Sequence, residues 1–138
     1  MLAELFQEED AAREMAWKLI KLAEQSRAAA QAEKASLLEF LRGPMERHMA
    51  YEEGAMFQHL EEHGLGEEVQ VALKQHAAIR EATRTLEQAP EDMDVAHTIV
   101  YVARLMLHHT NFEGDYIYPE LTHDEWRDLM KATVRQGT

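Results

Sequence analysis

The chain contains no cysteine. Disulfides, cysteine-rich zinc sites, iron–sulfur clusters and thiol nucleophiles are therefore excluded. Positive charge is also scarce: 14 Lys and Arg stand against 26 Asp and Glu, for a formal net charge of -12. That imbalance argues against nucleic acid and against anionic membrane surfaces as partners. No apolar run approaches the length needed to span a bilayer. The opening stretch MLAELFQEED is acidic where a secretory signal would be positive, so the expectation is a soluble, cytoplasmic protein with no membrane partner. Strand signals and low-complexity linkers are missing too. The 138 residues suit one domain, residues 1–138, with a sizeable core.

What remains is helical periodicity over almost the whole chain. Segment one, about 2–32, carries an apolar stripe of Leu2, Leu5, Phe6, Ala12, Ala16, Leu19, Ile20 and Ala23 at spacings of three and four. Segment two, about 34–63, ends at Gly64, a C-cap signal. Its Gly43-Pro44 predicts a kink one turn before His48, because proline removes a backbone donor and clashes with the preceding turn. Segment three, about 67–88, turns Val69, Leu73, Ile79 and Leu86 inward and is broken by Ala89-Pro90. Segment four, about 92–121, turns Ile99, Val102, Leu105, Phe112 and Tyr116 inward. Segment five, about 123–136, opens with the capping box Thr122-His-Asp-Glu125. Short connections make neighbours antiparallel. The fold expected is all-α: an up-down-up-down four-helix bundle with a short fifth C-terminal helix across one end.

One pattern is written twice. HMAYEEGAMFQ begins at His48 and HTNFEGDYIYP at His109. Each places a Glu four residues after its His, so His48 pairs with Glu52 and His109 with Glu113 on one helix face. The repeat extends further: EDAARE at 9–14 aligns with HAAIRE at 76–81, matching Glu9 with His76 and Arg13 with Arg80. The halves read as two copies of one helical hairpin. Glu9 and His76 both fall on apolar stripes. A core carboxylate is costly unless paired or coordinated, and three converging carboxylates would raise one another's pKa values. Two metal ions resolve that conflict, with Glu52 and Glu113 as bridges. A single His-x-x-x-Glu arises often by chance on solvated helices. Two in register, with an inward His and an inward Glu beside them, match how bundles build metal sites in their cores.

This layout resembles the hemerythrin-like, or HHE cation-binding, domain. That family has a four-helix bundle around a non-haem di-iron centre, with a His on helix one, His-x-x-x-Glu on helix two, a His on helix three and His-x-x-x-Glu on helix four. The resemblance runs from Glu8 to Leu121 and includes Tyr-Glu-Glu at 51–53, Gly-Leu-Gly at 64–66 and Tyr-Pro-Glu-Leu at 118–121. It implies His48, His76 and His109 as terminal ligands and Glu52 and Glu113 as bridges, holding two iron ions joined by an oxo or hydroxo group. Manganese and zinc also suit these ligand types. One departure stands out. The family usually has Glu-His-Asp-x-x-Arg on helix one, and this chain has Glu8-Glu9-Asp10-Ala-Ala-Arg13, so Glu9 replaces the first His. Ala72 and Arg80, four residues either side of His76, supply no second His.

Two functions follow from the resemblance. One is a protein that binds or senses O2, NO or H2O2, or stores iron. The other is a di-iron enzyme with peroxidase, catalase or oxidase-like activity, favoured if Glu9 ligates the metal. Tyr51, three residues after His48, is a candidate for a hydroxyl near the metals, with core packing as the plainer role. Tyr101, Tyr116 and Tyr118 raise the same question more weakly. His59 and His63 read as an exposed pair at a helix C-terminus, and His97, His108 and His123 as surface or interface residues. Replacing His59 and His63 together with Ala should therefore leave bound metal unchanged, while His76→Ala lowers it. Metal analysis of the two purified variants checks this, and the reverse outcome would break the repeat alignment.

Overall fold

The computed structural model describes residues 2–120, with side chains described from residue 6 to residue 119. Among the described residues there is no strand. α1 (Leu2–Gln25) is followed by the short α2 (Arg27–Gln31). The second long rod is continuous but not uniform. α3 (Lys34–Phe40), α4 (Glu46–Tyr51) and α5 (Phe57–Glu62) are joined by π-helical turns at Leu41–Met45 and Glu52–Met56. α6 (Gly66–Gln88) returns, and α7 (Ala96–Phe112) runs into a third π-helical turn, Glu113–Ile117, and a 3-10 turn, Tyr118–Glu120. α1 packs on α7, α7 on α6, α6 on the α3–α5 rod, and that rod back on α1 through its first π turn. The four long rods thus close a bundle. None of the described helices is long and apolar enough to cross a membrane. The fifth helix and its capping box at Thr122 fall outside the described residues, as does His123.

The joints have local causes. Ser26 takes an extended conformation (φ -164°, ψ 128°) and its hydroxyl accepts from the Ala29 N–H at 3.3 Å. It therefore ends α1 and caps α2, where periodicity alone suggests one helix to residue 32. Pro44 sits inside the first π turn, whose wider ring accommodates a residue without an N–H. Gly64 has φ 89°. Leu65 N–H donates to the Leu60 carbonyl at 2.9 Å and Gly64 N–H to that of Glu61 at 3.3 Å, the paired bonds of a Schellman cap.

α7 starts at Ala96 rather than near residue 92. The Gln31 side chain occupies the preceding loop, donating to the Met93 carbonyl at 2.9 Å and accepting from Val95 N–H at 2.7 Å. Asp94 accepts from Ala96 N–H at 3.0 Å and pairs with Arg27 at 2.8 Å. The backbone bond, followed by the Arg27 charge, holds the Asp94 carboxyl below the usual range.

The core is in two parts. A larger cluster includes Ala12, Ala16, Leu19, Leu37, Met45, Met49, Ile79, Leu86, Ile99, Val102 and Met106. A smaller one holds Met56, Phe57, Leu60, Val69, Ala72, Ile117 and Tyr118. On each of the last three rods the sequence between these clusters carries the histidines and glutamates of the repeat. Two expected core positions differ: Tyr116 is 59% exposed and Phe6 43% exposed. The outward position of Tyr116 comes from the π turn, which inserts extra residue length just after Glu113. The inward stripe shifts onto Ile117 and Tyr118, both buried.

Gln31→Ala removes the acceptor of a buried N–H, since Val95 is 3% exposed. The expected cost is about 1–2 kcal/mol, a drop of several degrees in Tm that thermal melting checks.

Candidate metal centre

Glu9, His48, Glu52, His76, His109 and Glu113 are all buried, none more than 3% exposed. They come from all four long rods and meet in the layer between the two apolar clusters. His48, Glu52, His109 and Glu113 each offer one atom within 4.8 Å of the others'. His109 Nε2 lies 2.7 Å from Glu113 Oε1, and His48 Nε2 lies 3.4 Å from Glu52 Oε1 and 3.6 Å from Glu113 Oε1. The remaining two join at the edges. His76 Nε2 is 3.2 Å from Glu52 Oε1 and 3.2 Å from His109 Nε2. Glu9 Oε1 is 3.3 Å from His48 Nε2. All six positions singled out in the sequence are therefore brought together.

Both glutamates of the His-x-x-x-Glu pairs open a π-helical turn. Phe57 N–H donates to the Glu52 carbonyl and Tyr118 N–H to the Glu113 carbonyl. Such turns widen a helix by one residue and are frequent at functional sites. Here they let the inward stripe carry a buried carboxylate and, five residues later, an inward aromatic ring.

The imidazoles are held from behind. His76 Nδ1–H donates to Glu53 Oε2 at 2.8 Å, and His109 Nδ1–H to Gln75 Oε1 at 2.8 Å. His48 Nδ1 lies 3.5 Å from Glu8 Oε1. These contacts leave the Nε2 atoms of all three rings facing the cluster, the orientation that metal-binding histidines need. Arg80 anchors Glu53 by bonds of 2.7 and 3.0 Å and Glu46 by bonds of 2.9 to 3.2 Å. Arg13 reaches Glu9 Oε2 at 3.4 Å and the Thr110 carbonyl at 3.2 Å. Glu8 and Gln75 each immediately precede the α1 or α6 member of the cluster, and each serves the histidine of the other rod in its own half. The repeat alignment carried that signal, although the ligand spacing alone did not.

Tyr118, not Tyr51, reaches the cluster. Its hydroxyl donates to Glu9 Oε1 at 2.9 Å and lies 3.5 Å from Glu52 Oε2. Tyr51 is half-buried against the smaller apolar cluster, and among the described residues its hydroxyl has no hydrogen-bond partner. Tyr101 and Tyr116 are exposed. So are His97 and His108, while His59 is half-buried and stacks on His63 at 4.2 Å between ring centroids.

The electrostatics fit a cation. Burial opposes charge on His48, but the Glu52 carboxylate, with Glu8 and Glu9 in hydrogen-bond reach, outweighs it and pushes the pKa up to about 10. Burial likewise works against ionised Glu52, and His48, His109 and His76 outweigh it, holding that carboxyl at about 2. Burial keeps His109 neutral, with its pKa below the usual value. Burial first, then the Glu52 and Glu9 carboxylates, push the Tyr118 phenol far above its ordinary range, so it stays a hydrogen-bond donor. Within the described protein, His48 Nε2, Glu52 Oε1 and both Glu113 oxygens are buried, and although cluster atoms crowd together, as His109 Nε2 and Glu113 Oε1 do at 2.7 Å, none of the four is aligned for a hydrogen bond. Unpartnered buried polar atoms are rare and costly. Four of them converging, on imidazole and carboxylate alone, make a donor set suited to a metal ion.

Comparison with known proteins agrees with this chemistry. The family model for the hemerythrin HHE cation-binding domain matches residues 1–121. No curated protein and no solved structure gives a significant match. A helical bundle with a buried His and Glu cluster between two apolar cores, matched by that model over most of its length, places the chain in the hemerythrin HHE cation-binding domain family.

Proposed function

We propose that the cluster is a dinuclear iron centre and that the protein binds or senses a small ligand such as O2, NO or H2O2, or stores iron. His76 and His109 would hold one ion and Glu9 and His48 the other, with Glu52 and Glu113 shared between them. The observation that carries this reading is the convergence of six buried imidazole and carboxylate side chains from all four rods, with four of their atoms, on the second and fourth rods, making no hydrogen bond. Iron bound there would supply one-electron redox chemistry with those ligands. Manganese and zinc suit the same donor types, so metal analysis of the purified protein is the deciding experiment. It is paired with an optical spectrum before and after reduction and exposure to air.

The chain's own residues set the terms of that chemistry. Glu53, Gln75 and Glu8 orient the three imidazoles by taking their Nδ1 side. The two apolar clusters keep bulk water away on either side of the layer. The Tyr118 hydroxyl keeps its proton beside Glu9 and Glu52.

A second reading is an enzyme that turns over peroxide, oxygen or nitric oxide. Burial of Glu9 with an oxygen 3.3 Å from His48 Nε2 favours it. A carboxylate in place of a neutral imidazole adds negative charge, which favours the oxidised centre and lowers its reduction potential. An easily oxidised centre suits turnover better than reversible carriage.

Glu52→Ala and Glu113→Ala should each lose most of the bound metal. They should also lose the stabilisation that binding confers, about 3–4 kcal/mol at metal concentrations a hundred to a thousand times Kd. Glu52→Gln keeps the shape while removing the charge, and should show the same metal loss with milder damage to the fold. Full metal occupancy in these variants, measured by elemental analysis, would end the shared-ligand assignment. For the redox reading, the reduced iron-loaded protein should oxidise in air, and removing oxygen should not restore its starting spectrum. Glu9→His should raise the potential, measurable by redox titration.

A further inference from the structure

We propose that Tyr118 is the positioning residue for Glu9, and that the two form a matched pair standing where the other half of the molecule has Phe57 and His76. The inference deepens the metal-centre reading and rests on it. Its basis is the internal repeat. Glu52 and Glu113 are equivalent, each opening a π-helical turn, and the residues whose N–H closes back on them are Phe57 and Tyr118. Glu9 and His76 are equivalent by the EDAARE and HAAIRE alignment. Each ring thus lies against the α1 or α6 member of the cluster from the opposite half.

The contacts differ as the chemistry of the two ligands differs. Phe57 stacks on His76, with ring centroids 5.3 Å apart and planes 26° from parallel. A flat imidazole offers a face to a phenyl ring. A carboxylate offers no such face; buried, it needs donors. At that place the ring is a phenol, and its hydroxyl donates to Glu9 Oε1 at 2.9 Å. Phe6 meets the Tyr118 ring edge-on at 5.7 Å and fixes its tilt. The exchange of His for Glu on α1 is accompanied by the exchange of Phe for Tyr after the fourth rod's π turn.

The pair has a consequence for coordination. Tyr118 engages Oε1 of Glu9, while Arg13 Nη2 stands 3.4 Å from Oε2. Donors on both oxygens fix the rotation of the carboxylate and turn Oε1 toward His48 Nε2. Held this way, Glu9 would ligate a metal through one oxygen rather than chelate it through two.

A double-mutant cycle tests the pairing, using Glu9→His, Tyr118→Phe and the double variant in the full chain. Iron(II) affinity is measured anaerobically. Tyr118→Phe should weaken one of the two iron-binding steps, that of the ion held by Glu9 and His48, about tenfold in the wild-type background, the lower end of what loss of a ligand's supporting hydrogen bond costs. It should have little effect in the Glu9→His background, because the phenyl ring then faces an imidazole as Phe57 faces His76. Cobalt(II) loading gives a readout that a packing role would not move. A freed Glu9 chelates and raises the coordination number, so the visible bands of Tyr118→Phe should weaken relative to wild type and recover in the double variant. Tyr51→Phe is the control and should change neither quantity. Equal effects of Tyr118→Phe in both backgrounds, or cobalt bands unchanged by it, would overturn the pairing while leaving the metal centre standing. Absence of metal binding by the wild-type protein would overturn both.

Discussion

Everything in this molecule depends on one buried electrostatic constraint. Glu9, Glu52 and Glu113 lie in a single layer with three imidazoles, between two apolar clusters. Carboxylates in such a place cannot stay ionised without positive charge close by. The protein supplies little: a proton on His48, favoured by Glu52, and the half-exposed Arg13 at 3.4 Å from Glu9. Arg80 is engaged further out, on Glu46 and Glu53. The excess of negative charge is an arrangement for cations, and it explains why six of the few buried polar side chains among the described residues stand side by side. The cavities elsewhere are open surface grooves, such as the one between α1 and α7 lined by Ile20, Ala23, Arg27, His97, Tyr101 and Arg104.

Much of this was legible in the sequence, for a physical reason. Ligands of a bundle site must repeat at helical spacing, so two His-x-x-x-Glu pairs in register and a shared flanking motif located all six cluster residues. Apolar periodicity located the four long rods, and Gly64 marked the end of the second. What was not legible depended on breaks in that same periodicity. Ser26 reads as an ordinary exposed helix residue, but it ends α1 because its hydroxyl competes for a backbone N–H. The late start of α7 is set by Gln31, more than sixty residues away in sequence. The π turns, each containing a glycine (Gly43, Gly54 and Gly114), are invisible to a fixed helical period. They shifted the inward tyrosine from position 116 to 118, and with it the choice between Tyr51 and Tyr118 as the hydroxyl beside the cluster.

The supporting shell shows how the two halves have diverged. His109 is backed by the neutral amide of Gln75, His76 by the carboxylate of Glu53, and His48 more distantly by Glu8. An anionic partner strengthens the donor power of an imidazole more than a neutral one does. The three rings therefore differ in basicity even though the repeat places them alike. Gly114, the counterpart of Glu53, brings no carboxylate, and a Cβ there would lie 3.5 Å from Arg13 Nη2.

The rings that follow the π turns have a further implication. Phe57 belongs to the first hairpin and covers His76 of the second, while Tyr118 belongs to the second and covers Glu9 of the first. Each hairpin completes the other. This is the reciprocity of an isologous interface, in which the same patch serves both partners because a two-fold axis relates them. In a dimer of identical hairpins every change would be made twice, once on each side of the axis. Joined in one chain, the halves are released from that rule, and one can exchange imidazole for carboxylate while the other keeps its stacked ring. The asymmetry of the centre is what covalent linkage of two similar halves permits.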